Sequence, residues 1–425
     1  MKNLDVLTTL FVGIDVSSKT NAIYAMDFHS NKLLSVSVPN TQVGAETLVS
    51  QIHSLMEGSK FEAVCYAMES TSFYGMHLAN FLSSDSISLS DNPYVYCLNP
   101  KMIANYRKSF IGMAKTDPID AFIIADFARV GRITIEPWRG SQFLALQRLT
   151  RHRLHLVGLL TREKTYMTAN VFLKFSQMSL LKKKEHPFAH NHTATAEAVL
   201  TEFFSLQEII DTPAEELIEF LCKKSKNRIV DVEQTASILK KAASDSYRLD
   251  KTLYEPLNIA ISSSYSCIAS FEKEIKQIDR AIEKNIRGLQ NNEYQCLQSI
   301  PGIGPVFASG ILAELGSMKN FHSNDALAKY AGIYWGRNQS GEYEADNTNM
   351  VKAGNKFLRY YIIEATSSVI RNIPEYNAFY QKKFSEVKNH QHKRALALTS
   401  RKFIRLIFGL LAKDQLYSPS KVGQI

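Results

Sequence analysis

Two acidic residues in the first third of the sequence stand in otherwise apolar runs. Asp15 interrupts the run FVGIDVS, and Glu69 closes the run VCYAME. Burying a carboxylate in a strand costs several kcal/mol unless the charge is paired or bound to a metal ion. Both positions therefore indicate a functional role, and two strands of one sheet can bring such acids together.

A second pair of acids, Asp117 and Asp120, lies in the segment KTDPIDAFIIA. Their spacing of three residues places both carboxylates on one side of a first helical turn. The same pattern is also an ordinary helix start, with Asp117 as the N-cap, Pro118 at the first helical position and Asp120 favouring the helix dipole. For this pair alone, capping is the simpler interpretation.

All four acids together predict a metal site. Carboxylate oxygens are the ligands that Mg²⁺ prefers, and phosphodiester cleavage uses divalent cations to activate the attacking oxygen and to stabilise the leaving oxygen. The residues that we expect to bind one or two magnesium ions, for which Mn²⁺ can substitute, are Asp15, Glu69, Asp117 and Asp120.

The elements that would position these acids follow a recognisable order. Apolar, β-branched runs at 10–17, 21–28 and 33–38 predict three strands joined by short turns. The elements predicted after them are a helix at 44–56, a strand at 62–69, a helix at 74–83, a strand at 94–98 and a helix at 118–131. This order predicts an α/β domain with a ribonuclease H-like fold over residues 1–140.

Strand signals stop at about residue 141. Leucines near helical spacing among arginines predict one long helix from there, and isoleucines at similar spacing predict a second at 257–288. Two such helices predict an antiparallel coiled coil. We therefore expect residues 141–292 to form a helical linker region, with a helical insertion of unassigned purpose at about 176–250.

The insertion contains a turn rich in histidine, with His186, His190 and His192. Imidazoles at this spacing allow a metal-ligand interpretation, but a polar loop without a metal is favoured.

Residues 293–425 are predicted to form a mostly helical domain. It opens with SIPGIGPVFASGILAEL, which resembles a helix-hairpin-helix, whose glycines let backbone N–H groups approach a phosphate. A glycine-rich turn between two packed helices is the alternative interpretation.

The charge of the chain is unevenly distributed. Its 425 residues carry a net charge of +9; residues 1–138 hold 10 Lys and Arg against 13 Asp and Glu, and residues 139–425 hold 40 against 28. A basic body favours a polyanion such as DNA or RNA, although an ordinary solvated surface remains the alternative. The length predicts two or three globular domains.

The cysteines and the first residues of the chain indicate the cellular compartment of the protein. Five cysteines without a CxxC pair indicate neither a zinc site nor a disulfide framework, and the amino terminus has no long apolar run. We expect a cytoplasmic protein without a membrane anchor.

Several motifs together resemble one family. The segments GIDVSSKTNAIYAMD, AMESTSFYG and KTDPIDAFIIA look like those of the DEDD transposases of the insertion-sequence 110 group, whose first domain is similar to the RuvC resolvase. IPGIGPVFASGILAELG, FHSNDALAKYAGI and MVKAGNKFLRYYIIEA match the transposase domain of that group in order and spacing. The resemblance covers about residues 10–165 and 290–370.

The resemblance implies specific roles. The four acids map onto the metal-binding residues of the group, and Ser340, in GRNQSGEY, maps onto the serine that attacks DNA and becomes joined to it. It also implies a homo-oligomer, a dimer or tetramer, with composite active sites, and a structured noncoding guide RNA that pairs with double-stranded donor and target DNA. Nearby residues that could contact the flanking phosphates, although for each a surface residue or a helix partner is the simpler interpretation, are Arg337, Lys352, Asn355 and Arg359.

Two residues depart from the pattern of the group. Trp335 stands where a proline is usual, which puts the shape of the serine loop in doubt, and Pro118 replaces a basic residue that could contact a phosphate.

The sequence therefore predicts a DNA transposase that forms a serine-DNA intermediate. A site-specific invertase related to Piv would share these residues, and a hydrolytic Holliday-junction resolvase would use water in place of Ser340. An actin-like ATPase or sugar kinase is weakened because Glu-Ser-Thr stands where a second Asp-x-Gly loop is expected. A non-catalytic binding protein is the remaining alternative.

Overall fold

The computed structural model describes residues 4–70, 73–131, 133, 135, 137–138, 140–182, 185–288, 292–318, 321–336, 339–340, 343–344 and 349–419. The chain forms two compact units: the first unit is Met1–Arg148 with Glu283–Ile425, and the second unit is Leu149–Ile282. The predicted division at residues 140 and 292 stays a prediction. None of the helices in the described ranges combines the length and the apolar sequence needed to cross a bilayer.

A mixed sheet forms the centre of the N-terminal part of the first unit. Its strands are β1 (Thr9–Val16), β2 (Thr20–Met26), β3 (Lys32–Pro39), β4 (Ala63–Glu69) and β5 (Pro93–Leu98). The strand order is β3-β2-β1-β4-β5; β1, β2 and β3 pair antiparallel, and β4 pairs parallel with both β1 and β5. Short turns suffice for the antiparallel pairs, whereas a parallel pair needs a crossover. All five predicted strands are confirmed within two residues at each end.

Among the residues that the structure describes, five helices accompany this sheet: α1 (Gln42–Met56), α2 (Tyr74–Leu82), α3 (Ser86–Ser90), α4 (Pro100–Arg107) and α5 (Asp117–Arg129). The predictions for α1, α2 and α5 are confirmed, whereas α3 and α4 were not predicted. Helix α4 begins at a local signal, because the Asn99 side chain accepts a hydrogen bond from the N–H of Lys101 and Pro100 occupies the first position. At eight residues it is too short for a clear apolar period.

The two faces of the sheet carry separate apolar layers. The even-numbered residues Leu10, Val12 and Ile14 of β1 belong to the layer that also contains residues of α1 and α2. Phe11 belongs to the other layer, which contains the core of α5. Because side chains alternate along a strand, Gly13 and Asp15 face α5 as well.

Helix α5 lies directly on β1 at Gly13. A Cβ atom at this position would stand 2.1 Å from the carbonyl oxygen of Ala121 and 2.3 Å from the backbone nitrogen of Ala125. Only glycine permits two backbones to approach this closely.

A buried polar network holds the C-terminal end of α5 in place. Asp126 accepts hydrogen bonds from the Tyr106 hydroxyl at 2.6 Å and from Nε and Nη2 of Arg129 at 2.8 and 2.6 Å. Arg129 Nη1 also donates to the carbonyl oxygen of Phe28 at 3.1 Å. These contacts tie α4, α5 and the residues after β2 together.

The second unit is helical and has its own apolar core. Its helices are α6 (Ser141–Lys174), α7 (Ala194–Glu202), α8 (Leu206–Asp211), α9 (Ala214–Ser225), α10 (Val232–Asp245) and α11 (Lys251–Gly288). The start of α6, up to Arg148, and the end of α11, from Glu283, belong to the first unit. Helices α6 and α11 are joined by ion pairs of Arg153 with Asp279 at 2.5 Å and of Lys164 with Glu272 at 2.7 Å.

One ammonium group connects several parts of this core. Lys174 is 1% exposed, and its Nζ donates to the carbonyl oxygens of Leu200 and Phe203 at 2.8 and 2.7 Å and to Asn258 Oδ1 at 2.6 Å. Three acceptors satisfy the three donors of a lysine. Lys174 therefore holds the end of α7 against α6 and α11.

The C-terminal part of the first unit is mostly helical, as predicted. Its helices are α12 (Asn292–Gln298), α13 (Pro305–Leu315), α14 (Asn324–Ala331), α15 (Lys356–Asn372), α16 (Pro374–Ser385) and α17 (Gln391–Lys413). Two short ribbons pair β6 (Tyr334–Trp335) with β9 (Met350–Val351) and β7 (Gln339–Ser340) with β8 (Tyr343–Glu344). Helix α13 packs closely on α15, because a Cβ at Gly310 would stand 2.4 Å from the Tyr361 ring.

We expect Gly13→Ala to lower the free energy of unfolding by about 1–3 kcal/mol or more, because the added methyl group would overlap the α5 backbone. Gly158→Ala is the matched control: Gly158 lies in α6, a Cβ there meets no atom within 4 Å, and the change should be neutral or stabilising by up to about 1 kcal/mol. Urea unfolding followed by circular dichroism measures both. An unchanged midpoint for Gly13→Ala would contradict the described contact.

Candidate active site

Two of the predicted acids stand at the same edge of the sheet. Asp15 is the last residue but one of β1, and Glu69 is the last residue of β4. These strands are parallel, and Ile14 pairs with Met68, so that Asp15 and Glu69 follow in register and share the face toward α5. Both are half-buried.

The other two acids, Asp117 and Asp120, lie in the first turn of α5. The helix begins at Asp117 itself, and the residue before it, Thr116, makes no capping hydrogen bond through its side chain. The capping interpretation places the N-cap at Asp117, whereas the structure has it one residue earlier, at Thr116. Asp117 is exposed and Asp120 is half-buried. Because α5 crosses β1 at Gly13, its first turn lies beyond that crossing, toward the end of the strand that carries Asp15.

The carboxyl group of Asp15 interacts electrostatically with acids of two other segments. The pKa of Asp15 is raised, first by burial of the carboxyl group and then by the negative charges of Asp117 and Glu69. The positive charges of Lys115 and Arg107 oppose this effect. The structure thus brings Asp15, Glu69 and Asp117 within electrostatic range of one another.

Asp120 has a partner that the sequence did not reveal. Arg107, at the end of α4, forms an ion pair with Asp120, and its Nη2 donates to the carbonyl oxygen of Ala114 at 3.0 Å. Arg107 therefore fixes both the fourth acid and the segment that leads into α5. The Asn99-Pro100 helix start was a signal for α4, but the partner of Arg107 depends on how α4 packs.

All four acids offer carboxylate oxygens, which are the donors that a hard divalent cation prefers. A bound cation would also relieve the repulsion of Asp15 by Asp117 and Glu69. Among the described residues, however, no three His, Cys, Asp or Glu side chains are arranged to hold a metal ion. Asp120 is engaged by Arg107. The metal site stays a prediction.

Ser340 lies in strand β7, where its backbone pairs with Tyr343 of β8. Nearby, Trp335 of β6 pairs with Met350 of β9. Arg337, one of the predicted phosphate contacts, lies outside the described residues. The role of Ser340 as a nucleophile stays a prediction.

The remaining predicted phosphate contacts differ in their surroundings. Lys352 is exposed. Asn355 caps α15 by accepting hydrogen bonds from the N–H groups of Phe357 and Leu358 at 2.9 and 3.1 Å, and its Nδ2 donates to buried Glu314 at 2.9 Å.

Arg359 Nη1 donates to the carbonyl oxygens of Ala331 and Lys352 at 3.3 and 2.8 Å. Asn355 thus links α15 to α13, and Arg359 links α15 to the end of α14. Contact of Lys352, Asn355 and Arg359 with nucleic acid stays a prediction.

Comparison with known proteins identifies similar sequences. Residues 12–175 match a family model described as a transposase, of DEDD type and named after IS110, and residues 294–381 match one described as the IS116/IS110/IS902 transposase family. The chain is 24% identical over 414 residues to an uncharacterized 42 kDa protein of insertion element IS900 from Mycobacterium paratuberculosis, covering 97% of this chain and 98% of that protein. It is 22% identical over 417 residues to an uncharacterized 44.8 kDa protein of insertion element IS116 from Streptomyces clavuligerus, covering 97% and 96%. A transposase for insertion sequence element IS1111A from Coxiella burnetii is 26% identical over 153 residues, which are 35% of this chain and 39% of that protein.

We expect Asn355→Ala to destabilise the protein by about 2–4 kcal/mol, because it removes both an N-cap and a hydrogen bond to a buried carboxylate. Ser323→Ala is the matched control, since Ser323 only caps α14, and it should cost about 1 kcal/mol. Chemical unfolding of both variants measures the difference. If Asn355 serves only to bind nucleic acid, its variant will be as stable as the unmodified protein.

Proposed function

Because the chain belongs to the IS110 family of transposases, we propose that it cuts and rejoins DNA strands with a serine nucleophile and a carboxylate metal site. The observation that carries this proposal is the approach of Asp15, Glu69 and Asp117 at one edge of the sheet. The strand order β3-β2-β1-β4-β5, with three antiparallel strands followed by two parallel ones, supports a ribonuclease H-like fold for this part of the chain.

The proposed ligands of the divalent cation, Mg²⁺ or Mn²⁺, are Asp15, Glu69, Asp117 and Asp120. When bound, the cation supplies positive charge that activates the attacking oxygen and stabilises the leaving oxygen. The chain contributes a rigid frame, since Asp15 and Glu69 are fixed by paired strands and Asp117 by a helix packed on backbone. Asp120 joins the other acids once its ion pair with Arg107 opens, and the guanidinium then becomes available to a phosphate oxygen.

In the proposed reaction the Ser340 hydroxyl attacks a phosphorus atom of the DNA backbone. The new bond joins Oγ to phosphorus, the hydroxyl proton passes to a base or to solvent, and the bond to the leaving strand breaks to release a hydroxyl group. A hydroxyl of the second DNA then attacks the phosphoserine and restores Ser340. One ester is exchanged for another at each step, so the bond energy is conserved without a nucleotide cofactor.

The proposed partners are double-stranded donor and target DNA, a structured noncoding guide RNA that selects them by base pairing, and further copies of the chain in a dimer or tetramer. Residues 139–425 hold 40 Lys and Arg against 28 Asp and Glu, a balance that supports contact with phosphates. Within that region, Arg337 and Lys352 are the proposed phosphate contacts nearest to Ser340 in sequence. A site-specific invertase of Piv type would use the same residues on differently arranged DNA sites.

We expect Ser340→Ala to lower strand transfer by several orders of magnitude and to abolish the covalent protein-DNA adduct, because the attacking oxygen is lost. Ser385→Ala, at an exposed serine of α16, is the control and should transfer strands normally. Gel analysis of labelled DNA, with mass spectrometry of the adduct peptide, gives the measurement. DNA that is still cut by Ser340→Ala without any adduct would identify a hydrolytic nuclease instead.

Asp15→Asn should abolish cleavage while the protein still binds DNA, because the carboxylate is needed for the cation and not for docking. Removal of divalent cations by a chelator should have the same effect on the unmodified protein, and added Mg²⁺ or Mn²⁺ should restore cleavage. Full activity of Asp15→Asn would rule out the carboxylate site.

A further inference from the structure

The turn between α4 and α5, residues 108–116, presents two exposed apolar side chains at its tip. Ile111 is 96% exposed and Met113 is 45% exposed. An isoleucine left in water forgoes about 1.5–3 kcal/mol of stabilisation by burial. A single exposed apolar residue is common on protein surfaces, but here two stand at the tip of one turn, and the proposed strand transfer gives them no role.

Contacts on both sides of the tip hold the turn in place. The ring of Phe110 packs on that of Tyr106, with centroids 5.4 Å apart, and lies against the apolar layer that contains α5. On the other side, Nη2 of Arg107 donates to the carbonyl oxygen of Ala114 at 3.0 Å. Gly112, between the two apolar residues, has a φ of +79°, in the region that favours glycine in tight turns. The exposed tip therefore stands on a braced base.

The turn is basic, although the part of the chain around it is acidic. Residues 101–116 hold 4 Lys and Arg and no Asp or Glu, whereas residues 1–138 as a whole hold 10 against 13. Lys108 and Lys115 flank the tip and are exposed. An apolar tip between positive charges complements DNA, in which apolar base faces lie between rows of phosphates. An apolar pocket on another protein would not require the flanking charges.

The turn also lies beside the acids of the candidate site. The positive charges of Lys115 and Arg107 partly offset the raised pKa of Asp15. Ile111 precedes Asp117, the first residue of α5, by six residues. An extended chain spans at most about 3.6 Å per residue, so the two residues lie within about 22 Å, which is the length of about six base pairs.

We propose that Ile111 acts as a wedge that inserts between two base pairs of the DNA duplex bound at the acids, within about six base pairs of the cut bond. Met113 packs against the opened step, and Lys108 and Lys115 contact phosphates on either side. An inserted apolar side chain unstacks the step and bends the duplex. This wedge rests on the proposed function, because it takes DNA as the polymer that the acids bind.

The first test compares the affinity of the full chain for two short labelled DNA duplexes of one sequence, one perfectly paired and one with a central mismatch. A mismatched step costs less free energy to open, so a wedge prefers it. We expect the unmodified protein to bind the mismatched duplex about tenfold more tightly, measured by fluorescence anisotropy. Ile111→Ala should bind both duplexes equally.

A second measurement detects the opened step directly. Aminopurine, a fluorescent base analogue that stacking quenches, is placed at successive positions of the paired duplex. Its emission should rise when the unmodified protein binds and should not rise with Ile111→Ala. Lys108→Ala should weaken binding to both duplexes alike and lower the slope of log affinity against log salt by about one, because one phosphate contact is lost.

Ile259→Ala is the matched control, because Ile259 is an isoleucine of α11 that is 63% exposed. It should keep both the mismatch preference and the rise in emission. Since Ile111 is almost fully exposed, its replacement should not impair folding, which circular dichroism checks.

The wedge is overturned if the unmodified protein binds both duplexes equally, or if Ile111→Ala keeps the mismatch preference and the rise in emission. It is also overturned if Ile111→Ala changes the oligomeric state in light scattering while the rise in emission persists. That last result is the one expected if the tip contacts a second copy of the chain.

Failure of the wedge is distinguishable from failure of the proposed function, because binding and aminopurine emission require no DNA cleavage. Asp15→Asn should keep the mismatch preference while strand transfer is lost. If Ser340→Ala retained strand transfer, the serine mechanism would fail and the role of Ile111 would stand.

Discussion

The direct contact of helix α5 with strand β1 at Gly13 determines where the acids of this protein lie. With no side chain between them, the helix rests on the strand backbone, and its first turn extends toward the strand end that carries Asp15. The buried contacts of Asp126 with Tyr106 and Arg129 hold the other end of the helix. A larger residue at position 13 would lift α5 and separate Asp117 from Asp15, so the candidate site depends on this packing.

Much of this arrangement could be predicted from local sequence, and the rest depends on packing. The strands were predictable because their apolar residues either alternate with polar residues or form continuous runs. Asp15 was conspicuous because burying a charge in an apolar run costs free energy. The ion pair of Arg107 with Asp120 was not predictable, because it joins two helices whose packing no short pattern encodes. Asn355 was named as a phosphate contact; the structure shows it capping α15 and bonded to Glu314, and only the helix-partner alternative anticipated this.

The two family matches leave residues 176–293 between them, most of which belong to the second unit. This unit has its own apolar core and a buried ammonium, Lys174, whose three acceptors all lie within it. A segment that satisfies its own packing and polar groups can differ among relatives without disturbing the sheet that carries the acids.

Both crossings between the two units fall inside helices: between Arg148 and Leu149 in α6, and between Ile282 and Glu283 in α11. A continuous helix is stiffer than a loop, because each of its turns is closed by backbone hydrogen bonds. Neither crossing therefore offers a loop in which residues could be inserted or removed without interrupting the backbone hydrogen bonds of a helix.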